Sequence, residues 1–244
     1  PSAVVRTASA LEAGSYRWVW REIAERAQPA PAEPEQLART LAPLVRRNAA
    51  DCLGLEAVQN LLDNLEREQP ALVRHTIPRI ISQPLLAQVL RGLLREGVSV
   101  RWLPEILEAL AQVASTQATL PPTPQLIEEA RRALARRISR ALAPQGTLHL
   151  LRLSGPVEEA VADGLRRDGS GEWLALPAEL SRDIGEAVRQ ALHAAPRPCA
   201  LLTQASLRRH VRALLEQSAL ELAVVSAHEL EPELALTHGA PIGP

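Results

Sequence analysis

The sequence predicts an α+β fold that is predominantly helical, a helical subdomain followed by a two-layer α/β subdomain. Leu and Ala make up about a third of the 244 residues, and both favour helix. Between Glu35 and Ala143 apolar residues recur at three- and four-residue spacing, broken by short Pro- and Gly-marked loops. After Pro144–Gln145–Gly146 the rhythm changes to short apolar strands alternating with longer helices, the signature of α/β units.

The elements follow in order. Pro1–Ser15 shows no period. Tyr16–Trp20 (YRWVW) reads as a strand, Glu22–Ala27 as a short helix, and Gln28–Pro34 as a Pro/Ala loop. Glu35–Leu53 reads as a helix kinked near Pro43 and stopped by Gly54. Leu55–Glu68 places Leu55, Val58, Leu61, Leu62 and Leu65 on one face, and a short helix follows between Pro70 and Pro78. Ser82 has the position of an N-cap with Pro84 in the first turn. The stripe Leu85, Leu86, Val89, Leu90, Leu93, Leu94 runs to a stop at Gly97. Ser99 caps the next helix, with Val100, Leu103, Ile106, Leu107 and Leu110 facing inward. Thr123 and Pro124 open a further helix carrying Leu126, Ile127, Ala130, Leu134 and Ile138.

Strands are predicted at Thr147–Leu153, Glu172–Leu176, Cys199–Thr203 and Leu222–Ser226. Helices are predicted at Val157–Arg167, Ala178–Ala194 and Leu207–Gln217, and the tail from Glu231 is expected to add an edge strand. The expected domains are residues 1–46, 47–144 and 145–244.

Composition narrows the function. There are 27 basic residues, all Arg, against 28 acidic ones, a net charge of −1, so the chain carries no global basic field for nucleic acid. Apolar runs stop well short of the ~18 residues of a membrane helix, and no signal-peptide core follows Pro1. Two cysteines, Cys52 and Cys199, form no disulfide framework and fit a reducing compartment. The missing initial Met marks the chain as an expected fragment or processed product.

Catalytic constellations are absent from the pattern. The six histidines never reach a metal-ligand spacing, no GxSxG elbow is present, and no glycine-rich loop joins a strand to a helix with a following Lys. Gly169–Ser170–Gly171 reads as a tight turn. Glu158–Glu159 lie in a first helical turn, where they suit the helix dipole. The chain is therefore expected to be non-enzymatic, with no cofactor and no metal. Arg131, Arg132, Arg136, Arg137 and Arg140 spread around a helix without interleaved aromatics, and read as a solvated or subunit-contact face. A stand-alone helical adaptor or nucleic-acid-binding regulator using that cluster is the alternative; the favoured reading involves no nucleic acid.

Longer motifs go further. Leu44–Val73 (LVRRNAADCLGLEAVQNLLDNLEREQPALV) and Val89–Ala111 (VLRGLLREGVSVRWLPEILEALA) are followed in register by Val157–Leu180, Cys199–Glu216 (CALLTQASLRRHVRALLE) and Glu221–Leu230 (ELAVVSAHEL). Together they resemble the C-terminal cytoplasmic domain of the export-gate family of bacterial type III secretion, flagellar and injectisome. The likeness runs from about Trp18 to Gly243. Departures are Asn48 where His is usual, Gln69 for Tyr, Trp102 for an acidic residue and Pro104 for Arg.

The resemblance implies the cytosolic domain of an inner-membrane protein that assembles as a nonameric homo-oligomeric ring. That ring receives export chaperone–cargo complexes and a gatekeeper, and contacts other export-apparatus components. It places the helical region as the third of four subdomains and the α/β region as the fourth. The first is expected to survive only as a remnant, and the second is not recognisable. Arg101, Trp102, Arg131 and Arg132 become subunit-contact candidates, with Trp102 expected to be exposed. Arg39, Thr40, Arg208 and Arg209 become partner-binding candidates. LEREQPALV and DGSGEWLAL lean toward the injectisome branch.

Overall fold

The computed structural model describes residue 45 and residues 48–243, except 118 and 170. The expected elements before Leu44, with Arg39 and Thr40, lie outside the described residues. The chain divides into two compact units between Ala133 and Leu134.

In the first unit, helices α1 (Ala49–Cys52), α2 (Leu55–Glu68), α3 (Pro70–Thr76), α4 (Gln83–Arg95), α5 (Leu103–Thr116) and α6 (Thr123–Ala133) surround an apolar core. The predicted stripes supply it: Val58, Leu62 and Leu65 from α2, Leu86, Val89, Leu90 and Leu93 from α4, Leu103, Ile106, Leu107 and Leu110 from α5, and Leu126 and Ala130 from α6. Each buried Leu or Ile contributes about 1.5–3 kcal/mol over its exposed state. The helix ends follow the local signals. The Ser82 hydroxyl accepts from Leu85 N–H at 3.3 Å. Gly97, at φ +73°, ends α4, with Val98 N–H reaching Leu93 C=O and Gly97 N–H reaching Leu94 C=O, both at 2.9 Å. That pair of bonds is a Schellman motif, whose left-handed residue favours glycine. The turn before α2 is tied to α4 by Arg91 Nε donating to Leu53 O at 2.7 Å and Gln83 Nε2 to Leu55 O at 3.0 Å.

The second unit begins with α7 (Ala135–Leu142). The sequence predicts one continuous helix from Thr123 to Ile138. Leu134 instead leaves helical geometry at ψ 10°, and α7 is fastened within its own unit: Ser139 Oγ donates to Glu229 O and accepts from Glu231 N–H.

Strands β1 (Thr147–Leu153), β4 (Cys199–Leu202), β5 (Val224–Val225) and β6 (Ala235–Ile242) form a parallel sheet in the order β5-β4-β1-β6. The tail thus adds the edge strand expected of it. Helices α8 (Gly155–Asp163), α9 (Ala178–Ala194) and α10 (Arg208–Gln217) share one core with Leu151, Leu153, Cys199 and Leu201. Leu148, Leu150 and Ala200, on the alternate positions, are also buried, as expected of a parallel sheet.

One correction concerns residues 165–168. The sequence reads Leu165–Arg167 as the end of a helix, but α8 stops at Asp163 and Leu165–Asp168 form β2, an antiparallel hairpin with β3 (Gly171–Leu174). Asp168 pairs with Gly171, so the chain between them joins two strands, not a helix and a strand.

Candidate partner-binding surfaces

Helix α10 carries the RRHVR run (Arg208 to Arg212), and its cations serve the fold. Arg208, read from sequence as a partner-binding candidate, is 0% exposed, and its Nη1 donates to Val224 O of β5 at 3.4 Å. It is a core group, because this turn of α10 faces the sheet. Arg209, half-buried, pairs with Glu172 of β3, and its Nε donates to His210 Nε2 at 3.1 Å. Arg212 Nη1 donates to Leu222 O at 3.2 Å. Thus α10 holds the β2–β3 hairpin on one side and the approach to β5 on the other.

Desolvation pushes the Glu172 carboxyl up. The charge and hydrogen bond of Arg209, with the charges of Arg167 and His210, outweigh it and hold the group below the usual carboxylate range. Beyond this clamp the hairpin presents Trp173, 44% exposed, opposite Arg166.

The subunit-contact candidates separate. Arg101 is exposed in a 3-10 turn (Val100–Trp102) that precedes α5. Trp102 is half-buried, not exposed as expected. Helical spacing does not apply to it, since the α-helix starts at Leu103. Arg131 is 3% exposed and turned inward to Glu96, so its guanidinium presents no contact face. Arg132 is exposed and pairs with Glu129, and Arg136 pairs with Glu231. The five arginines are divided between the two units, Arg131 and Arg132 in the first and Arg136, Arg137 and Arg140 in the second.

Two of the concavities among the described residues of the second unit carry polar groups. One of about 430 Å³ lies between α9 and α10, beside Gly185, Arg189 and Ser218. The other, of about 460 Å³, lies at the carboxyl ends of β1 and β4, with Arg152, Glu158, Thr203 and Gln204 in its wall. Thr203 Oγ1 donates to Glu158 Oε1 at 2.8 Å, and Gln204 Nε2 to Glu158 Oε2 at 3.4 Å. From sequence Glu158 reads only as a dipole-compensating acid; knowledge that β1, β4 and β6 are parallel is needed to place a crevice there. Among the described residues no group of His, Cys, Asp and Glu could hold a metal ion, and no helix is long and apolar enough to cross a membrane.

Residues 6–235 match the FHIPEP family. The chain is 34% identical over 200 residues to the flagellar biosynthesis protein FlhA of Caulobacter vibrioides, covering 80% of the chain and 28% of that protein. It is 30% identical over 199 residues to the invasion protein InvA of Salmonella typhimurium, covering 80% and 28%. The chain thus spans little more than a quarter of the length of these relatives. The Chlamydia pneumoniae CdsV protein has a similar structure, with TM-score 0.76 and 27% identity over 85% of this chain and 60% of that one. CdsV in complex with CdsO gives 0.74 at 27% identity, covering 86% and 60%. The nonameric SctV-C of EPEC, solved by cryo-EM, gives 0.71 at 26% identity, covering 83% and 61%. With matching sequence motifs, both units' elements and this likeness in hand, the chain belongs to the FHIPEP family and corresponds to the C-terminal cytoplasmic domain of type III export-gate proteins.

Proposed function

We propose that this chain is part of the cytosolic ring of a bacterial type III export gate, anchored at the inner membrane through the rest of its protein, and that it acts by binding rather than catalysis. The observation that carries this is the family match over residues 6–235 together with a structural likeness to a nonameric cytosolic domain. Ring assembly, reception of chaperone–cargo complexes, contact with a gatekeeper and contact with a CdsO-like protein are the functions proposed. The injectisome branch is favoured by the LEREQPALV and DGSGEWLAL segments, and gene neighbours encoding a needle and secretin, rather than a hook and flagellin, are expected.

Chaperone reception requires two walls that converge to desolvate an apolar anchor. Only a remnant of the first wall, near Arg39 and Thr40, is recognisable in this sequence, and none of the second. Calorimetry with a matched chaperone–cargo pair tests the reading. The complete cytosolic domain is expected to bind at micromolar level, about 8 kcal/mol, and this chain far more weakly. Equal affinities would show that reception occurs elsewhere. Failure of the complete domain to form a ring, or to bind any export substrate, would overturn the assignment.

A further inference from the structure

We infer that the concavity at the carboxyl edge of the parallel sheet docks the basic side chain, arginine or lysine, of a partner protein, with the Glu158 carboxylate as its acceptor. The concavity opens at the carboxyl ends of β1 and β4, and β1 lies between β4 on one side and β6 on the other. Arg152 and Leu153 end β1, Leu202 ends β4 with Thr203 just after it, and Pro241 comes from β6.

The chemistry at that place is specific. Both oxygens of Glu158 accept hydrogen bonds from neutral donors, Thr203 Oγ1 and Gln204 Nε2. Thr203 is 5% exposed, so the carboxylate is held in one orientation by a fixed neighbour. No ion pair joins Glu158 to a cation among the described residues. A half-buried carboxylate with only neutral donors and no ion-pair partner is completed best by a cation, because attraction between opposite charges strengthens where water is partly excluded. Leu153, Leu202, Ala227 and Pro241 supply apolar wall for the aliphatic stem of such a side chain.

Arg152 is the cation in the lining, exposed and not ion-paired with Glu158. It disfavours a polybasic tract and favours a single basic residue in apolar or acidic context. Gly155, Gln204, Ala227 and Pro241 are exposed around the concavity, so a small free amine would stay wet on one side. A protein surface that brings the side chain also closes the opening, which selects a protein-borne cation.

Titration of the ¹⁵N-labelled chain with the peptide acetyl-Leu-Arg-Leu-amide tests this. The amide signals of Gly155, Thr203 and Gln204 are expected to shift and saturate at millimolar peptide. The citrulline counterpart, which keeps shape and loses charge, is expected to bind at least tenfold more weakly, as is arginine peptide to Glu158→Gln. That variant keeps one acceptor oxygen, for Thr203 Oγ1, and turns the other position into a donor to which the Gln204 amide oxygen can turn; its spectrum reports whether the fold is intact. Equal binding of the citrulline peptide, or no shift at these three amides, would overturn the proposal irrespective of the variant's folding. Saturable binding of free spermidine at the same amides, as tight as the peptide, would also overturn it, since the site would then take small amines.

Discussion

Arg131 and Glu96 meet at 2.9 Å inside the helical unit, with the guanidinium 3% and the carboxylate 15% exposed. The pair joins α6 to the residue that caps α4, immediately before the Schellman turn at Gly97. Breaking a buried pair by removing one partner leaves an uncompensated charge and costs about 3–5 kcal/mol. Arg131→Ala is therefore expected to lower the stability of the helical unit by about 3 kcal/mol. The double variant Arg131→Met with Glu96→Leu is expected to recover most of that loss. Urea denaturation followed by circular dichroism gives both numbers, and a single variant as stable as the parent would show that the pair is not internal.

Gly92 of α4 lies against α6 so closely that a Cβ there would approach Ile127 Cδ1 to 2.2 Å and Cγ1 to 2.9 Å. Alanine would gain about 1 kcal/mol of helix propensity over glycine, but overpacking costs about 1–3 kcal/mol. Gly92→Ala is thus expected to be neutral or destabilising by up to about 2 kcal/mol. In an Ile127→Ala background, where the colliding atoms are gone, the same change is expected to stabilise. A double-mutant cycle in thermal unfolding reads the sign reversal; additivity would remove the contact from the explanation.

Burial is the largest cause that raises both thiols. At Cys199 the charge and hydrogen bond of Arg197 oppose it, and at Cys52 the neighbouring Asp51 adds to it. Thiolate is the reactive form, so Cys52 is expected to label slowly at pH 7.5 and faster as the pH rises. Cys199, buried in β4, is expected to react only on unfolding, and half-buried Cys52 first. Mass spectrometry after brief alkylation distinguishes them; preferential labelling of Cys199 in folded protein would contradict the burial of β4.

Much of this fold is legible because local signals and packing agree. Ser82 and Gly97 bound α4 through a side-chain cap and a left-handed turn, both readable from one residue type at one position. Helix Ala178–Ala194 follows from its periodicity alone. The failures have a different physics. Leu165, Arg166 and Arg167 are good helix formers that become a strand because Leu174, Trp173 and Glu172 pair with them, a non-local fact. Arg208 and Arg209 are adjacent and chemically identical, yet a rotation of about 100° around α10 separates a core guanidinium from a surface clamp. Only the positions of β5 and β3 tell which is which. Arg131 reads as part of a basic face because its partner Glu96 is distant in sequence. Glu158 gains its meaning only when Thr203 and Gln204 are folded beside it.

The Glu172 clamp makes the β2–β3 hairpin sensitive to acid. Its carboxyl titrates lower in the folded chain than in the unfolded one, chiefly because Arg209 overcomes the cost of desolvation. The folded state consequently binds fewer protons there, and stability rises with pH across this range. The contribution of Glu172 is complete above the unfolded value of about 4.3 and disappears as pH falls through the lower folded value. Between pH 7 and about pH 5 the hairpin is expected to be unaffected by this group. Below about pH 4 the amides of Gly171–Leu174 are expected to lose hydrogen-exchange protection before those of β1 and β4. Glu172→Gln removes a charge-assisted bond and is expected to cost about 2 kcal/mol at pH 7, while flattening the acid dependence of the hairpin. Arg209→Met is expected to cost a similar amount, because Glu172 then keeps its desolvation with only Arg167 and His210 beside it. Parallel loss of protection in the hairpin and the sheet, in parent and variant alike, would mean that another carboxylate governs acid unfolding.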